Sequence, residues 1–334
     1  IEDYSTRPYL VRSCETKKAY EKAMSLAINA EICVFSGYDA LPFQRARMRK
    51  GLLSFDMGER ILKRGWLNLT SPRILVMVLS YHLGGWGKKP LYKLCSGGFV
   101  ANDQYKLKTF KGKCYKWGYF TKVKDFKNER FKLKQLDKSV SLMWCARFIY
   151  WKHPELVVKL AEKLKVDGYN FQLDMYGDGK MKPTIHKFIN AFGLTDCVSL
   201  KGNVPNEMIQ EAMANHDIFL FSSNELEGWG VVANEAMSNK CCLVASDMIG
   251  AVPFLMNDGY NGMVFKSRNE DSLYEKVKYL IDHPAERQMM AEQGHQDMAS
   301  FWSPKQAAAN LLTLIKDIQN GQVSSIKEGP CSNA

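Results

Sequence analysis

Residues 217–237 read DIFLFSSNELEGWGVVANEAM. The apolar run IFLF ends in two serines, passes through the loop NELEGWG and enters VVANEAM, which has helical character. An apolar run without alternation is the pattern of a strand buried on both faces, as at the centre of a parallel sheet. Ligands of open α/β sheets bind outside the carboxyl ends of such strands, and this loop stands at one of them. Its glycines free the backbone to turn tightly and approach a ligand. The amides of Trp229, Gly230 and Val231 then form a helix N-terminus suited to an anion such as a diphosphate. Glu227 lies before that turn and Glu235 about two turns into the helix. A carboxylate only accepts hydrogen bonds, so each suits paired hydroxyls. A phosphate centre with a hydroxylated ring at either side describes a nucleotide-sugar.

Outward from this stretch, β-like runs alternate with helical patterns. VSLMWCA (139–146 with its flank), FQLDMYG (171–177), CVSLKG (197–202), DIFLFSS (217–223), CCLVASD (241–247) and GMVFK (262–266) are separated by helical segments, among them 182–192 and one from Glu270 to about His283. This spacing predicts an α/β domain with a parallel sheet and helices on both faces. The first half is less regular. AEICVFSG (30–37) predicts a strand followed by a loop and a basic helix, residues 71–83 a helix, and YKLCSGGFVANDQ and KCYKWGYF strand edges running into loops. The expected organisation is an N-terminal domain over 1–120, a charged linker over 121–138, a nucleotide-sugar-binding domain over 139–301, a helix over 302–318 and a flexible tail over 319–334.

The net charge of +11 is unevenly spread. Residues 1–150 hold 29 Lys and Arg against 12 Asp and Glu, whereas 151–334 hold 17 against 23. A basic half fits an anionic partner such as a phospholipid surface, a lipid-linked phosphate or nucleic acid, or else a solvated face. No RNP, zinc or helix-turn-helix pattern supports nucleic acid. Nine cysteines, an odd number without any C-x-x-C, read as buried free thiols of a reducing cytoplasm. No D-x-D or H-x-x-x-H is present, so no metal site is expected. The longest apolar run, 74–83, is too short to span a bilayer. The start at Ile1 fits removal of an upstream segment.

The E-x7-E spacing of Glu227 and Glu235 resembles the signature of retaining glycosyltransferases of the GT-B fold, of the family-4 (glycosyl transferases group 1) type. Other segments agree in order. WCARFIYWKHPELVVKLAEKL resembles the family's G-R-x-x-x-x-K segment, with Arg147 and Lys152 at the matching places. DMYGDG (174–179) resembles its G-D-G, KGNVPNEM (201–208) its G-x-V-P-x-x-E, and ASDMIGAVPFLMNDGYNGMVF its S-D-x-G-G-x-P-E run. The resemblance implies two Rossmann-like domains with a cleft between them, the N-terminal one incomplete here and similar to the acceptor domain of a bacterial surface-polysaccharide group. It implies transfer of a sugar from a UDP- or GDP-sugar to a glycan or lipid-linked acceptor, with retention, in the cytoplasm or at the inner face of an anionic membrane. No further cofactor is implied.

On the same footing, Arg147 and Lys152 would offset the charge of the departing diphosphate, Glu227 would hold hydroxyls of the transferred sugar, and Glu235 those of the ribose. Gly202, Asn203 and Val204 would border the base, and Gly177 would lie in the G-D-G turn. The bland readings are a helix-start acid for Glu227, an exposed helix residue for Glu235, surface bases for Arg147 and Lys152, and plain turn glycines for Gly177 and Gly179. The sequence departs from the family at Asn239–Cys242, where Gly then Pro is usual, at Ile249-Gly250 in place of a double glycine, and at Phe254, where an acid is common. In the first half, His82, a Glu59–Arg60 pair and the turn Ser96-Gly97-Gly98 are lesser candidates, with Trp117 and Tyr119 expected at the domain junction. Two other classes fit parts of the sequence: a GT-B-fold nucleotide-sugar epimerase and a non-catalytic basic binding module.

Overall fold

A computed structural model describes residues 7, 9–123 and 139–334. It divides into two compact units. One takes the described residues up to Cys95, then Phe99–Tyr115 and Ala334; the other takes Ser96–Gly98 and the described residues of Lys116–Asn333. Most of the anticipated linker over 121–138 lies outside the described residues.

In the first unit, α1 (Lys17–Asn29) leads to β1 (Cys33–Ser36), α2 (Leu41–Lys50), β2 (Ser54–Gly58), β3 (Lys63–Trp66), α3 (Pro72–Leu83), β4 (Leu91–Ser96), α4 (Val100–Lys106) and β5 (Cys114–Trp117). The sheet runs β1-β2-β4-β5, with β1, β2 and β4 parallel. Its middle is charged: Asp56 of β2 stands opposite Lys93 of β4, and the two form a buried ion pair that Gln44 joins by donating to Asp56 at 3.3 Å. A fully buried Arg47 ends α1. Its guanidinium donates to the carbonyls of Ala27 and Ala30 at 2.8 and 2.7 Å and to Glu31 and Leu53 at 2.7 and 2.8 Å. Those carbonyls include the ones a helix C-terminus leaves without intrahelical partners.

Two of the lesser candidates have structural partners in this unit. Glu59 and Arg60 do not pair within a helix, because they sit where one strand gives way to the next. Glu59 accepts from Lys63 at 2.6 Å, and Arg60 turns to Asp103 at 3.5 Å and to the Phe99 ring. His82, in the last turn of α3, meets the Leu107 carbonyl at 3.0 Å, a local structural contact.

The second unit continues with β6 (Val140–Cys145), α5 (Pro154–Val166), β7 (Phe171–Tyr176), α6 (Lys182–Ala191), β8 (Val198–Gly202), α7 (Asn206–Asn215), β9 (Ile218–Phe221), α8 (Val232–Ser238), β10 (Cys242–Ser246), α9 (Val252–Leu255), β11 (Met263–Phe265), α10 (Glu270–Asp282), α11 (Pro284–Ser300) and α12 (Pro304–Gln319). Its six strands are parallel in the order β8-β7-β6-β9-β10-β11. Numbered from one to six along the chain, that is 3-2-1-4-5-6, the doubly wound order whose direction reverses between β6 and β9. Both faces are covered, as the unbroken apolar strands require. Ile218 and Leu220 of β9 enter one apolar cluster, while Phe219 and Phe221 enter the other. The strand period of two thus divides IFLF between two cores.

Residues 319–334 are not the loose tail expected from their composition. Cys331 and Ser332 are buried, Cys331 N–H donates to Lys116 O at 2.7 Å, and Lys116 N–H donates to Ser332 O at 2.8 Å. Asn310 of α12 donates to Pro330 O at 2.8 Å. A segment short of apolar residues is here held by backbone bonds, which composition does not reveal. Trp117 and Tyr119, placed in sequence at a domain junction, belong to the second unit; Trp117 meets Phe120 edge-on at 4.9 Å and Tyr119 meets Trp229 at 6.2 Å.

Candidate functional site

The site grows from the strand reversal. After β6 the chain passes Arg147 and turns through Tyr150–Lys152 to His153, whose φ of 50° is left-handed. After β9 it passes Ser222 and Asn224 to Glu227. These two loops are stitched together. Trp144 Nε1 donates to Ser222 Oγ at 2.9 Å, and that hydroxyl donates to Lys152 O at 2.6 Å. Asn224 N–H donates to Trp151 O at 3.0 Å, and its amide Nδ2 meets His153 Nε2 at 3.1 Å. The outcome is an ion pair between Lys152 Nζ and Glu227 Oε2, with side chains only 13 and 15 % exposed. The ammonium also lies 5.8 Å from the centre of the Phe221 ring. A pair this sheltered is screened little by salt.

Glu227 is held from behind by backbone. Gly250 N–H donates to Glu227 O at 3.2 Å, Ala251 N–H donates to Trp229 O at 3.0 Å, and Gly98 N–H donates to Gly250 O at 2.8 Å. A Cβ on Gly250 would overlap the Gly228 carbonyl, and one on Gly97 would lie 2.8 Å from the same oxygen. The Ser96-Gly97-Gly98 turn therefore packs on the backbone of the Glu227 loop. Of the two positions where the resembled family has a double glycine, Gly250 is sterically required and Ile249 fills the core.

Gly230 has φ 91°, and a Cβ there would strike the Phe221 ring and come within 3.2 Å of Glu227 Cγ. Two positions on, α8 begins and carries Glu235, which accepts from Asn206 Nδ2 at 3.1 Å. Burial raises the Glu235 carboxyl above its ordinary value, against the lowering effect of hydrogen bonds from Asn206 and Gln210. The thiol of Cys145, at the end of β6, is pushed up to about 12 by burial and by the charge of Glu235, with Lys152 acting the other way. Cys145 therefore stays a neutral thiol.

Not every sequence candidate joins this cluster. Arg147 is exposed, and its guanidinium lies 5.6 Å from the centre of the Trp151 ring. Trp229 contributes a core ring, 1 % exposed, whose Nε1 donates to Asn234 at 2.8 Å, and its carbonyl already accepts from Ala251 N–H. Val231 is exposed just before α8. Gly177 and Gly179 have a packing reason of their own: a Cβ on Gly177 would overlap the Ala146 carbonyl, and one on Gly179 would lie 2.6 Å from Phe148 O. Gly177 N–H also donates to Gly202 O at 2.8 Å, so the loops after β6, β7 and β8 meet. Gly202 has φ 71°, Asn203 is exposed, and Val204 leans on the apolar cluster. Sequence reasoning missed Ser222, Asn224, His153 and Asn206, which position the charged groups. Two polar residues closing an apolar strand, at Ser222 and Ser223, were the visible signal.

Chemically, the cluster offers one sheltered cation already matched by a carboxylate, a second carboxylate favouring hydroxyl donors, and a glycine turn at a helix start. A profile of the family described as "Glycosyl transferases group 1" matches residues 125–297. Alpha-D-kanosaminyltransferase of Streptomyces kanamyceticus is 29% identical over 183 residues, 55% of this chain and 47% of that protein. Poly(glycerol-phosphate) alpha-glucosyltransferase of Bacillus subtilis is 29% identical over 135 residues, 40% of this chain and 19% of that protein. The chain thus spans less than half of either relative. The crystal structure of Anabaena Alr3699/HepE in complex with UDP superposes with a TM-score of 0.70 at 15% identity, covering 91% of this chain and 81% of that one. The two parallel α/β sheets accordingly form a GT-B fold. With more than half of its length under the family profile, the chain belongs to the glycosyl transferases group 1 family.

Proposed function

We propose that this chain transfers a sugar from a nucleoside-diphosphate-sugar to a glycan or lipid-linked acceptor, with retention at the anomeric carbon. The observation that carries the reading is the Lys152–Glu227 pair formed at the strand reversal, with Glu235 on the helix that follows the same loop. An anionic donor supplies the charge that Lys152 now shares with Glu227. As the glycosidic bond to the diphosphate breaks, negative charge grows on the leaving oxygens, and Lys152 stabilises it where water is scarce. Arg147, exposed and resting on Trp151, is free in space to swing to the outer phosphate. Glu227, released from Lys152, accepts from hydroxyls of the sugar, and Glu235 accepts from the ribose. The amides of Gly230 and Val231 face the diphosphate, and Gly202, Asn203 and Val204 border the base. The UDP in the HepE complex and the glycosyl-transfer names of the relatives support this assignment.

Calorimetric titration with UDP, GDP and ADP tests it, with Glu235→Ala measured beside the parent. One base class is expected to bind, and the variant to bind it about ten- to a hundredfold more weakly, the scale of lost hydrogen bonds to a charged group. Unchanged binding by the variant would remove Glu235 from the site. pH gives a second readout. Only the ionised carboxylate accepts from both hydroxyls, and burial raises its titration above that of an ordinary glutamate. Affinity is therefore expected to fall as pH drops through that raised value, and Glu235→Gln to abolish this dependence.

A further inference from the structure

Two thiols of the first unit meet beside a buried charge, and the donor chemistry uses neither. Lys93 and Cys95 lie two positions apart on β4 and so face the same side of the sheet, with Asp56 of β2 opposite Lys93. On the other side of β4 runs β5. Lys93 N–H donates to Lys113 O at 2.7 Å, which brings Cys114, the first residue of β5, alongside. There the thiols of Cys95 and Cys114, both free, share a side-chain hydrogen bond. Neighbouring strands run about 4.8 Å apart, within the span between the Cα atoms of a disulfide.

The surroundings divide their chemistry. Cys95 is fully buried, and its hydrogen bond to Cys114 together with burial holds its thiol well above the ordinary value. Cys114 is only half-buried. The hydrogen bond from Cys95 lowers its thiol, and the charge of Lys93 acts the same way against burial. A thiolate is the nucleophile toward an oxidant, and its oxidised sulfur condenses with a second thiol at hand. Cys114 is thus suited to attack and Cys95 to resolve. The ammonium of Lys93, fixed by its ion pair with Asp56, acts on both.

We infer that Cys95 and Cys114 form a redox-modification site, at which a hydroperoxide joins the two sulfurs in a reversible disulfide. The Cys114 thiolate attacks the peroxide, the O–O bond breaks, and the sulfur becomes a sulfenic acid as the first water leaves. The Cys95 sulfur then attacks that sulfur, the S–O bond breaks, and the departing hydroxide takes the Cys95 proton as the second water. Two thiols and one hydrogen peroxide give one disulfide and two waters. The bond fastens β4 to β5 directly ahead of the turn Ser96-Gly97-Gly98. The inference is independent of the donor site, since the four side chains it uses lie in the first unit.

Peptide mapping tests it. The folded chain is treated with hydrogen peroxide, remaining thiols are blocked with N-ethylmaleimide as the chain is unfolded, and the product is digested without reductant. Trypsin releases Cys95 in residues 94–106 and Cys114 in residues 114–116, one cysteine in each. The two peptides should appear joined, and dithiothreitol should part them. Cys95→Ser should leave a sulfenic acid on Cys114 that dimedone captures, whereas Cys114→Ser should leave Cys95 to be recovered as the maleimide adduct. Recovery of both peptides unjoined from the treated parent overturns the inference, as does joining of either cysteine chiefly to another partner. Equal loss of the Cys95 thiol in Cys114→Ser and in the parent overturns Cys114 as the attacking sulfur.

Discussion

Alanine at position 250 is expected to lower the melting temperature by about 10 °C, the consequence of roughly 3 kcal/mol of overpacking in a unit of this size. The cause is close approach and not a left-handed backbone, for Gly250 is absent from the positive-φ glycines. Its missing Cβ makes room for the carbonyl of Gly228, and a backbone oxygen cannot rotate away as a side chain could. The shift would propagate to Glu227, whose carbonyl accepts from Gly250 N–H, and to the turn at Gly98. Nucleotide affinity should fall with stability in this one substitution. Gly259 offers the contrast: φ is +78° but nothing lies near a Cβ, so alanine there should cost only about 1–2 kcal/mol of backbone strain. Melting curves followed by circular dichroism compare the two, and a Gly250→Ala curve superposing on the parent would show that the loop is not fixed as described.

Lys152→Ala is the second large effect, and it rests on the proposed donor chemistry. Sugar transfer from the nucleotide conjugate is expected to drop by about 10²–10³-fold, as when a donor to a developing anion is removed. The substitution also strands the Glu227 carboxylate, 15 % exposed, without its counter-charge, which is more costly than the pair is favourable. Glu227→Gln on the Lys152→Ala background should recover stability without recovering turnover. Turnover of Lys152→Ala within about threefold of the parent would exclude Lys152 from leaving-group stabilisation.

The second unit was largely legible in the sequence because its chemistry is local. Each strand is an apolar run closed by polar or glycine residues, and each helix follows at ordinary spacing, so the sheet and the E-x7-E loop could be placed from the chain alone. The first unit hides its organisation in pairs. β2, SFDMG, holds an aspartate at its centre, and a strand with a buried acid reads as surface until Lys93 is known to face it. Arg47, in LPFQRARMRK, looks like one more solvated base, yet it is wholly buried among backbone carbonyls. Such positions depend on partners remote in sequence, and no periodicity records them. The same holds within the site. The E-x7-E loop singled out Glu227 and the family resemblance Lys152, but neither revealed the salt link between them, nor that Trp229 would turn inward.

Lys152 and Glu227 are 75 residues apart, joined only because β6 lies beside β9. Three strands and three helices intervene, so that pairing closes a long loop, and non-local parallel pairing of this kind forms slowly. The halves of the site cannot meet before the centre of the sheet does. Any ligand held by both side chains therefore binds only chains whose central pairing is complete. In a refolding experiment its binding would clock that closure, lagging behind helix formation.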